Sequence, residues 1–474
     1  MSIISPKKKM AIIASYFAGE TYGLLGPQMA ATLIEEHTPC ECIVVGVDRG
    51  DDKGVLKGAL SDFFGLERPV IGFSTLSGRE DLFDLARELK EEGATTILAG
   101  PQADADFLGE RDWQSHPHRF PGLSKHFSFA LHGPAEQIIP FLQAPDNGAP
   151  LHDRGVAFRG GDGKIRINPR KPWDERFLAG VRWGNLYRLE RGTLAAHTIT
   201  LAQVVQHIGC PHASRPAQIE ISYPAFLQEV RPRSVKVHLK GCSFCDVATD
   251  KGFHGSLGWD GVLKQVQGLP ELEDGRKIAF ELINENPLPG LPHLLREAEG
   301  RGLQLSQVNL TMRADWFVQG EAYVREALRM ARRMRVRVLL SSVGFESFDD
   351  GILRNLNKGV TVETNLQAIR LLRRLKEEFP FQWAYSSAEG AVHGFIHPTP
   401  WDTGETANRI QREIERYALF KDVLPEHSVP LIIHHASALG DWMREIERRE
   451  HLCFERYVSV IGWWKEAVRG PYIN

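Results

Sequence analysis

Residues 234–255 have the sequence SVKVHLKGCSFCDVATDKGFHG, and this stretch decides how the rest of the chain is interpreted. Apolar and polar residues alternate over 235–239, as they do in a strand with one buried face. The alternation stops at Gly241, and Cys242 and Cys245 follow with two residues between them. Two thiolates at this spacing can hold one metal ion or one iron–sulfur cluster. The stretch therefore predicts a metal-binding loop at the carboxyl end of a strand.

The residues around the two cysteines leave the kind of metal site open. His238, Cys242, Cys245 and His254 have a spacing that a closed tetrahedral zinc site can use. An iron–sulfur cluster would need a further ligand besides the two cysteines, normally a thiolate and on some clusters an imidazole.

The cysteine loop resembles that of the radical SAM enzymes, in the branch of the family that binds cobalamin. In these enzymes a strand of a partial α/β barrel leads into a loop whose three cysteines, usually spaced Cys-x-x-x-Cys-x-x-Cys, hold a [4Fe–4S] cluster. The segment 242–245, CSFC, matches the last two cysteines together with the aromatic residue, here Phe244. The resemblance implies that Cys242 and Cys245 are metal ligands and that Phe244 lies beside the bound cofactors.

The first cysteine of the family pattern has two candidates in this chain. The spacing would place it at position 238, which is occupied by His238. Cys210 lies in the segment 207–211, HIGCP, which resembles the usual Gly-Cys-Pro opening displaced by an insertion. The resemblance favours Cys210 as the third metal ligand, and His238 remains the alternative.

Composition limits the classes of protein to which the chain can belong. It has 474 residues, of which 42% are hydrophobic and 25% charged, which is typical of a soluble protein of two to four domains. A net charge of −3 gives no electrostatic reason to expect nucleic-acid binding. Six scattered cysteines do not form a disulfide framework and favour a cytoplasmic location. No apolar stretch approaches the ~20 residues of a membrane span, and the N-terminal apolar run is interpreted as a strand.

The N-terminal part, residues 10–143, alternates buried strands with amphipathic helical stretches. Such alternation predicts βαβ units and a doubly wound, Rossmann-like parallel sheet. The predicted strands are 10–15, 41–47, 69–74, 95–99 and 127–131. The helices are expected to begin near Gly26, Gly54, Gly78 and Pro134. In such sheets the ligand binds beyond the carboxyl ends of the strands.

Small, glycine-bearing loops follow three of these strands. The residues expected to contact a cofactor are Ser74, Thr75, Gly100, Pro101, Gly133 and Glu136. Glycines allow a flat ligand to approach the backbone, and hydroxyls can bond its amides or phosphates. These strand ends resemble those of the cobalamin-binding domain in the same enzyme branch, although the Asp-x-His-x-x-Gly motif that supplies an axial histidine in other cobalamin proteins is absent. A nucleotide, or no ligand, remains the alternative for this half.

The following region, residues 145–233, is expected to link two domains. The segments 156–158 and 165–167 flank a Gly-Gly-Asp-Gly turn and predict a β-hairpin. A helix is predicted over 201–207.

Strand–helix alternation resumes at residue 234 and predicts a barrel or partial barrel with its site at the carboxyl ends of the strands. The predicted strands are 234–239, 277–282, 307–312, 335–341, 383–387, 392–396 and 429–433. The predicted helices include 322–333, 361–377 and 406–420.

Polar residues follow the second, third and fourth strands of this series. They include Asn284, Asn286, Arg313, Glu346 and Ser347. Their succession resembles the rim of the radical SAM barrel, in which Gly-x-Glu-Ser and Leu-x-x-Leu-Asn-Lys-Gly are among the more specific stretches. The resemblance implies that these residues line the SAM pocket, with Glu346 bonding the SAM ammonium group and Arg313 or Ser347 its carboxylate. Ordinary ion pairs at the rim are the alternative.

The resemblance as a whole implies a cobalamin-dependent radical SAM enzyme, and among these a methyltransferase. The cofactors would be a [4Fe–4S] cluster, S-adenosylmethionine and cobalamin, and a 5′-deoxyadenosyl radical would abstract hydrogen from an unactivated carbon before methylation. A ring contraction or cyclisation without methylation, or a degenerate corrinoid- or SAM-binding protein, remains an alternative. The expected partners are a small-molecule or peptide substrate and an electron donor such as flavodoxin or ferredoxin. No residue is assigned a catalytic role.

The predicted fold class is α/β, with a doubly wound sheet followed by a partial barrel. The expected domains are a Rossmann-like cobalamin-binding domain (1–144), a linker region with a hairpin (145–233), a TIM-like partial barrel of radical SAM type (234–440) and a C-terminal helical extension (441–474).

Overall fold

The computed structural model describes residues 8–76, 78–100, 103, 126–143, 155–161, 165–169, 180–227, 233–245, 253–424, 428–435, 437–457, 460–464 and 467–469. Pro101 lies outside the described residues, as does the side chain of His254. The chain divides into two compact units. The first comprises Met1–Ala202 with Arg456–Val460, and the second comprises Gln203–Glu455 with Ile461–Asn474.

The first unit is built on one large sheet whose order, within the described residues, is β7-β6-β5-β4-β3-β1-β2-β8-β9. Its strands are β1 (Lys8–Ser15), β2 (Cys40–Val47), β3 (Val70–Ser74), β4 (Thr95–Ala99), β5 (Phe129–Leu131), β6 (Val156–Arg159), β7 (Ile165–Ile167), β8 (Leu186–Glu190) and β9 (Thr193–Ala196). The helices are α1 (Leu25–His37), α2 (Lys53–Phe64), α3 (Glu80–Glu91) and α4 (Ile138–Gln143). Six neighbouring strands of the sheet, β5, β4, β3, β1, β2 and β8, run parallel to one another. At the two edges, β6, β7 and β9 pair antiparallel.

The predicted doubly wound sheet is confirmed in this unit. The strands β1 and β2 are apolar and almost entirely buried after their first residues, because helices cover both faces of a parallel sheet. Helix α2 begins where Asp52 accepts hydrogen bonds from the backbone of Gly54 and Val55. The predicted hairpin also forms, as β6 and β7, and extends the sheet because Phe158 pairs with Phe129.

The second unit contains a sheet of order β10-β15-β16-β17-β18, with β19 also paired to β17. The strands from β15 onward run parallel. The bounds of the strands in the rest of the chain are β10 (Leu201–Val205), β11 (His207–Gly209), β12 (Pro216–Ser222), β13 (Ser234–Lys240), β14 (Phe253–Ser256), β15 (Ala279–Ile283), β16 (Gln307–Arg313), β17 (Arg337–Glu346), β18 (Trp383–Ala384), β19 (Gly394–Phe395), β20 (Ile433–His434), β21 (Cys453–Phe454), β22 (Val460–Ile461) and β23 (Val468–Arg469).

Helices separate the strands of this second sheet, as expected of a partial barrel. They are α5 (Trp259–Gln267), α6 (Leu291–Gly300), α7 (Ala314–Gln319), α8 (Glu321–Met334), α9 (Asp350–Asn355), α10 (Val362–Glu378), α11 (Gly404–Arg416) and α12 (Ala438–Glu450). Along β16, Val308, Leu310 and Met312 are buried and apolar, whereas Thr311 and Arg313 are polar and alternate with them. One face of the sheet is therefore apolar and the other carries polar groups toward the carboxyl ends of the strands.

Two predictions in this region are wrong. Residues 201–207 were expected to be helical, but Leu201–Val205 forms β10, which pairs beside β15. A short apolar run fits a helix or a strand equally well, and the partner strand decides between them. The strand before the cysteines, β13, is not part of the barrel sheet, because it pairs antiparallel with β12 as a separate ribbon. Its outer face carries exposed charged residues, which suits a ribbon better than a central parallel strand.

The later strands are shorter than predicted. Of the predicted strands 383–387 and 392–396, the segments that pair in the barrel sheet are Trp383–Ala384 and Gly394–Phe395. The predicted strand 429–433 is reduced to Ile433–His434, with one bridge from Val429 to Ile396. Within the described part of the chain, none of the helices has the length and apolar character that crossing a bilayer requires.

Candidate functional site

The cysteine loop of the second unit is fixed by the last residue of α9 and the two residues that follow it. Ser243, between the two cysteines, is fully buried, and its Oγ donates to the Asn355 carbonyl at 2.8 Å. The Ser243 backbone N–H donates to the Leu356 carbonyl at 2.9 Å. Asn357 Nδ2 donates to the Gly241 carbonyl at 2.7 Å. These three bonds fix the backbone of the loop that carries Cys242 and Cys245.

Cys210 lies close to this loop in space. It follows β11 and precedes a short 3₁₀ helix, Pro211–Ser214. Burial raises the pKa of the Cys210 thiol and the negative charge of Glu285 raises it further, whereas the backbone N–H groups of His212 and Ala213 oppose the shift. His212, two residues after Cys210, has its Nε2 3.2 Å from the carbonyl of Asn357, the residue that also bonds Gly241, so the segment around Cys210 lies beside the cysteine loop.

His238 has a different environment. Its side chain lies on the exposed face of β13, where Gln218 Nε2 is 3.3 Å from His238 Nε2. Among the described residues, no three His, Cys, Asp or Glu side chains converge as the ligands of one metal ion do. A cubane cluster binds each thiolate through a different iron, so its ligands stand farther apart than those of a single ion.

Arg313, at the end of β16, connects several parts of the site. Only 5% of the residue is exposed. Its Nε donates to Asp315 Oδ1 at 3.0 Å, and its Nη2 donates to the Lys358 carbonyl. Its Nη1 lies 3.9 Å from the Cys242 sulfur. The guanidinium therefore places a positive charge beside one of the predicted cluster ligands.

A second buried cation, Lys358, pairs with Glu346 at the end of β17. Lys358 Nζ donates to Glu346 Oε1 at 2.8 Å. Burial by itself lowers the pKa of Lys358, but the charges of Glu346 and Cys242 outweigh it and the pKa is raised. Glu346 has a φ of +59°, a conformation uncommon for residues other than glycine. The surroundings hold this strained residue in place.

Two glycines make room for the pair. A Cβ at Gly344 would lie 2.5 Å from both Glu346 Oε1 and Lys358 Nζ, and one at Gly394 would lie 2.9 Å from Glu346 Oε2. The side chains of both residues therefore occupy space that only glycine leaves open.

The Cys242 thiol is influenced by this charge set. Burial raises its pKa, and the negative charges of Glu346 and Glu285 raise it further, whereas the positive charges of Lys358 and Arg313 lower it. The net shift is upward, so the thiol without metal is protonated at neutral pH. Binding of iron would release this proton.

The remaining predicted residues of this unit contact other parts of the protein. Asn284 Nδ2 donates to Gln206 Oε1 at 2.7 Å, and its Oδ1 accepts from the Asn286 backbone at 2.8 Å, which ties the ends of β10 and β15 together. Ser347 is fully buried, and its Oγ accepts from the Asp349 backbone at 3.2 Å. Phe244 is partly buried in the cysteine loop.

Lys358 was missed by sequence reasoning, although it lies within the Leu-x-x-Leu-Asn-Lys-Gly stretch. Only its position beside Glu346 and Cys242 identifies it as part of the site.

At the carboxyl ends of β3 and β4, two of the residues predicted in the first unit, Ser74 and Gly100, lie against each other. A Cβ at Gly100, which has a φ of +74°, would lie 2.6 Å from Ser74 Oγ. Thr75 is 1% exposed, and its buried Oγ1 has no hydrogen-bond partner in the part of the chain that the structure describes. Gly133 has a φ of +102° and Glu136 is 2% exposed. A buried hydroxyl that lacks a partner costs free energy, so this edge is suited to a ligand with polar groups.

No family model matches the chain, and no curated protein matches its sequence. It does resemble solved structures of OxsB, a cobalamin-dependent S-adenosylmethionine radical enzyme. OxsB with aqua-cobalamin and S-adenosylmethionine bound gives a TM-score of 0.56 at 11% identity, over 94% of this chain and 62% of OxsB. OxsB with aqua-cobalamin gives 0.55 at 11%, over 96% and 64%, and apo OxsB gives 0.55 at 12%, over 94% and 61%.

This likeness establishes the fold of the chain. The predicted architecture, a Rossmann-like sheet followed by a partial barrel, is confirmed, and OxsB shares it. The chain spans about three fifths of the length of OxsB.

Proposed function

We propose that the chain is a cobalamin-dependent radical SAM enzyme that methylates an unactivated carbon. The observation that carries this proposal is that the Cys242 sulfur lies 3.9 Å from the buried guanidinium of Arg313, at the carboxyl end of β16. The buried Lys358–Glu346 pair lies at the end of the neighbouring strand, and the segment after Cys210 is bonded to Asn357, which also bonds the cysteine loop. The likeness to OxsB supports the same fold around that grouping.

The residues present suit an iron–sulfur cluster held by Cys210, Cys242 and Cys245. Thiolates are the normal ligands of such clusters, and the two buried cations offset the negative charge that thiolates and sulfide bring. When bound, the cluster and SAM would supply a 5′-deoxyadenosyl radical, and cobalamin would supply the methyl group. The protein's own part is to position these groups and exclude water.

SAM would be held at the rim of the barrel by Glu346 and Arg313. Glu346 Oε1 is engaged by Lys358, whereas its Oε2 has no hydrogen-bond partner within the described residues and can accept from an ammonium group. Arg313 keeps its charge while bonded to Asp315 and can attract a carboxylate.

Cobalamin would lie at the carboxyl edge of the sheet in the first unit. The free Thr75 hydroxyl can bond one of the amide groups at the edge of the corrin ring. The glycine at position 100 keeps the backbone accessible there, as does Gly133.

Three measurements on anaerobically purified protein test this proposal. Reconstitution with iron and sulfide should give a cluster of four irons per chain, and addition of SAM and a reductant should yield 5′-deoxyadenosine. Incubation with cob(I)alamin and methyl-labelled SAM should place the label on the corrinoid. A ring-contracting or cyclising enzyme would give the first two results without the third. One zinc per chain with no sulfide would overturn the proposal.

A further inference from the structure

Arg188 occupies an unusual position at the carboxyl edge of the first sheet. It lies on β8 and pairs with Gly46, next to the last residue of β2. Its guanidinium carbon lies 5.0 Å from the centroid of the Tyr16 ring, and Tyr16 is the first residue after β1. A Cβ at Gly46 would lie 3.1 Å from Cγ of Tyr16, so the absence of a side chain at Gly46 lets the ring pack against β2, where it contacts the guanidinium.

The hydrogen-bonding capacity of Arg188 is largely unused. Its Nε is buried and has no hydrogen-bond partner among the described residues, and its Nη1 makes one long bond, of 3.4 Å, to the Phe17 carbonyl. No carboxylate in the described part of the chain forms an ion pair with it. Hydrogen bonds from the backbone of Gly50 and Ala18, with a smaller contribution from the charge of Arg188, hold the pKa of Asp48 below its usual value, so the oxygens of Asp48 are already engaged. A planar donor fork with a buried unsatisfied N–H is suited to an anion with two oxygens.

Phe17, beside Arg188, is 55% exposed, so this part of the edge is open to a ligand. The ligand proposed for this edge, cobalamin, carries one anionic group, the phosphodiester that joins its nucleotide tail to the corrin ring. The corrin amides are neutral and suit hydroxyl partners such as Thr75. A guanidinium recognises phosphate oxygens in pairs, which a neutral amide cannot match.

We infer that Arg188 binds the phosphodiester of the cobalamin nucleotide tail, and this inference rests on the proposed function. Arg188 would then be the residue by which the protein distinguishes a complete cobalamin from a corrinoid that has lost its tail.

The test compares aqua-cobalamin with cobinamide, which has the same ring but lacks the phosphodiester and the base. Dissociation constants are measured by spectral titration for the wild type, Arg188→Gln and Arg188→Lys. The matched control is Arg182→Gln, because Arg182 is exposed and already paired with Glu35 and Glu36. Circular dichroism and thermal unfolding without corrinoid confirm that each variant is folded.

The loss of a charge-assisted hydrogen-bonded pair predicts that Arg188→Gln binds cobalamin about tenfold more weakly. Its affinity for cobinamide should stay within about twofold of the wild type, since that ligand has no anion to lose. The cobalamin affinity of Arg188→Lys should lie between those of the wild type and Arg188→Gln. Cobalamin binding should depend less on salt concentration in Arg188→Gln than in the wild type.

Two results would overturn the inference while leaving the proposed function intact. One is an equal loss for cobalamin and cobinamide, which would assign Arg188 to the ring or to packing. The other is no loss for either ligand. If the wild type binds neither corrinoid, the cobalamin part of the proposed function fails, and this inference fails with it.

Discussion

Lys358 Nζ lies 2.8 Å from Glu346 Oε1, and the two residues are only 6% and 8% exposed. Removing one partner leaves the other charge buried and unpaired. We expect Glu346→Gln and Lys358→Met each to lower the free energy of unfolding by about 3–5 kcal/mol. The double variant should recover most of this loss, because no unpaired charge remains.

Urea unfolding of the four proteins in this double-mutant cycle measures the coupling. The matched control is the exposed pair Arg296–Glu326, with side chains 56% and 49% exposed, whose removal should cost under about 1 kcal/mol. Additive losses for Glu346→Gln and Lys358→Met would contradict the prediction.

The three proposed cluster ligands can be tested one at a time. Cys210→Ala, Cys242→Ala and Cys245→Ala should each lose most of the reconstituted iron and sulfide, because a three-thiolate site with one ligand missing holds a cluster poorly. His238→Ala should retain the wild-type content, since its side chain lies on the exposed face of β13. Cys453→Ala serves as the cysteine control.

Iron and labile sulfide assays, with the visible absorption of the cluster, give the readout. A full cluster in Cys210→Ala together with its loss in His238→Ala would move the third ligand to His238.

Much of the fold was predictable from the sequence because burial leaves a local pattern. The strands β1 to β4 are covered on both faces, and their continuous apolar runs identify them without knowledge of their partners. The pairing of β10 with β15 depends on residues far apart in the chain, so the sequence around Leu201 could not separate strand from helix.

The candidate site, like the fold, was predictable only where a local sequence pattern identifies it. Cys242 and Cys245 were identified by their local spacing, which a tight turn enforces. The approach of Cys210 to Cys242 depends on how two ribbons, β11–β14 and β12–β13, are arranged, and no spacing rule contains that information. Ser347 fits the family stretch, but only the structure reveals that its hydroxyl faces Asp349.

Thr75 offers a test of the corrinoid site that does not depend on turnover. Its Oγ1 is buried and unpartnered, so Thr75→Val removes a desolvated polar group at little cost and should leave the free energy of unfolding unchanged or slightly raised. The same substitution should weaken cobalamin binding by about tenfold if the hydroxyl bonds the ligand.

Thr96→Val is the matched control, because Thr96 is also fully buried but its Oγ1 donates to the His126 carbonyl at 3.1 Å. That variant should lose about 1–2 kcal/mol of stability through the unsatisfied carbonyl, without a specific effect on the corrinoid. Urea unfolding and spectral titration measure the two effects. A destabilised Thr75→Val with unchanged cobalamin affinity would contradict a ligand-binding role.

The buried His393 predicts how stability depends on pH. Its Nδ1 accepts from the Val343 backbone at 2.9 Å, and its Nε2 lies 2.7 Å from the Tyr385 carbonyl, so the folded protein needs the neutral ring. Burial lowers its pKa from 6.5 to about 4, with the Tyr385 carbonyl and Asp422 opposing the shift. As pH falls below 6.5, the unfolded chain binds a proton that the folded protein does not. His393 should therefore lower stability progressively between pH 6.5 and about 4, by roughly 3 kcal/mol in all.

His393→Gln removes this titration while keeping one donor and one acceptor, so the urea midpoint of the variant should fall less steeply than that of the wild type over this pH range. The comparison is best made without corrinoid or cluster, so that ligand binding does not add its own pH dependence. Parallel profiles for the wild type and His393→Gln would show that the ring is charged or solvated in the folded protein. In that case the hydrogen bond from the Val343 backbone N–H to His393 Nδ1 could not exist, because a protonated Nδ1 cannot accept.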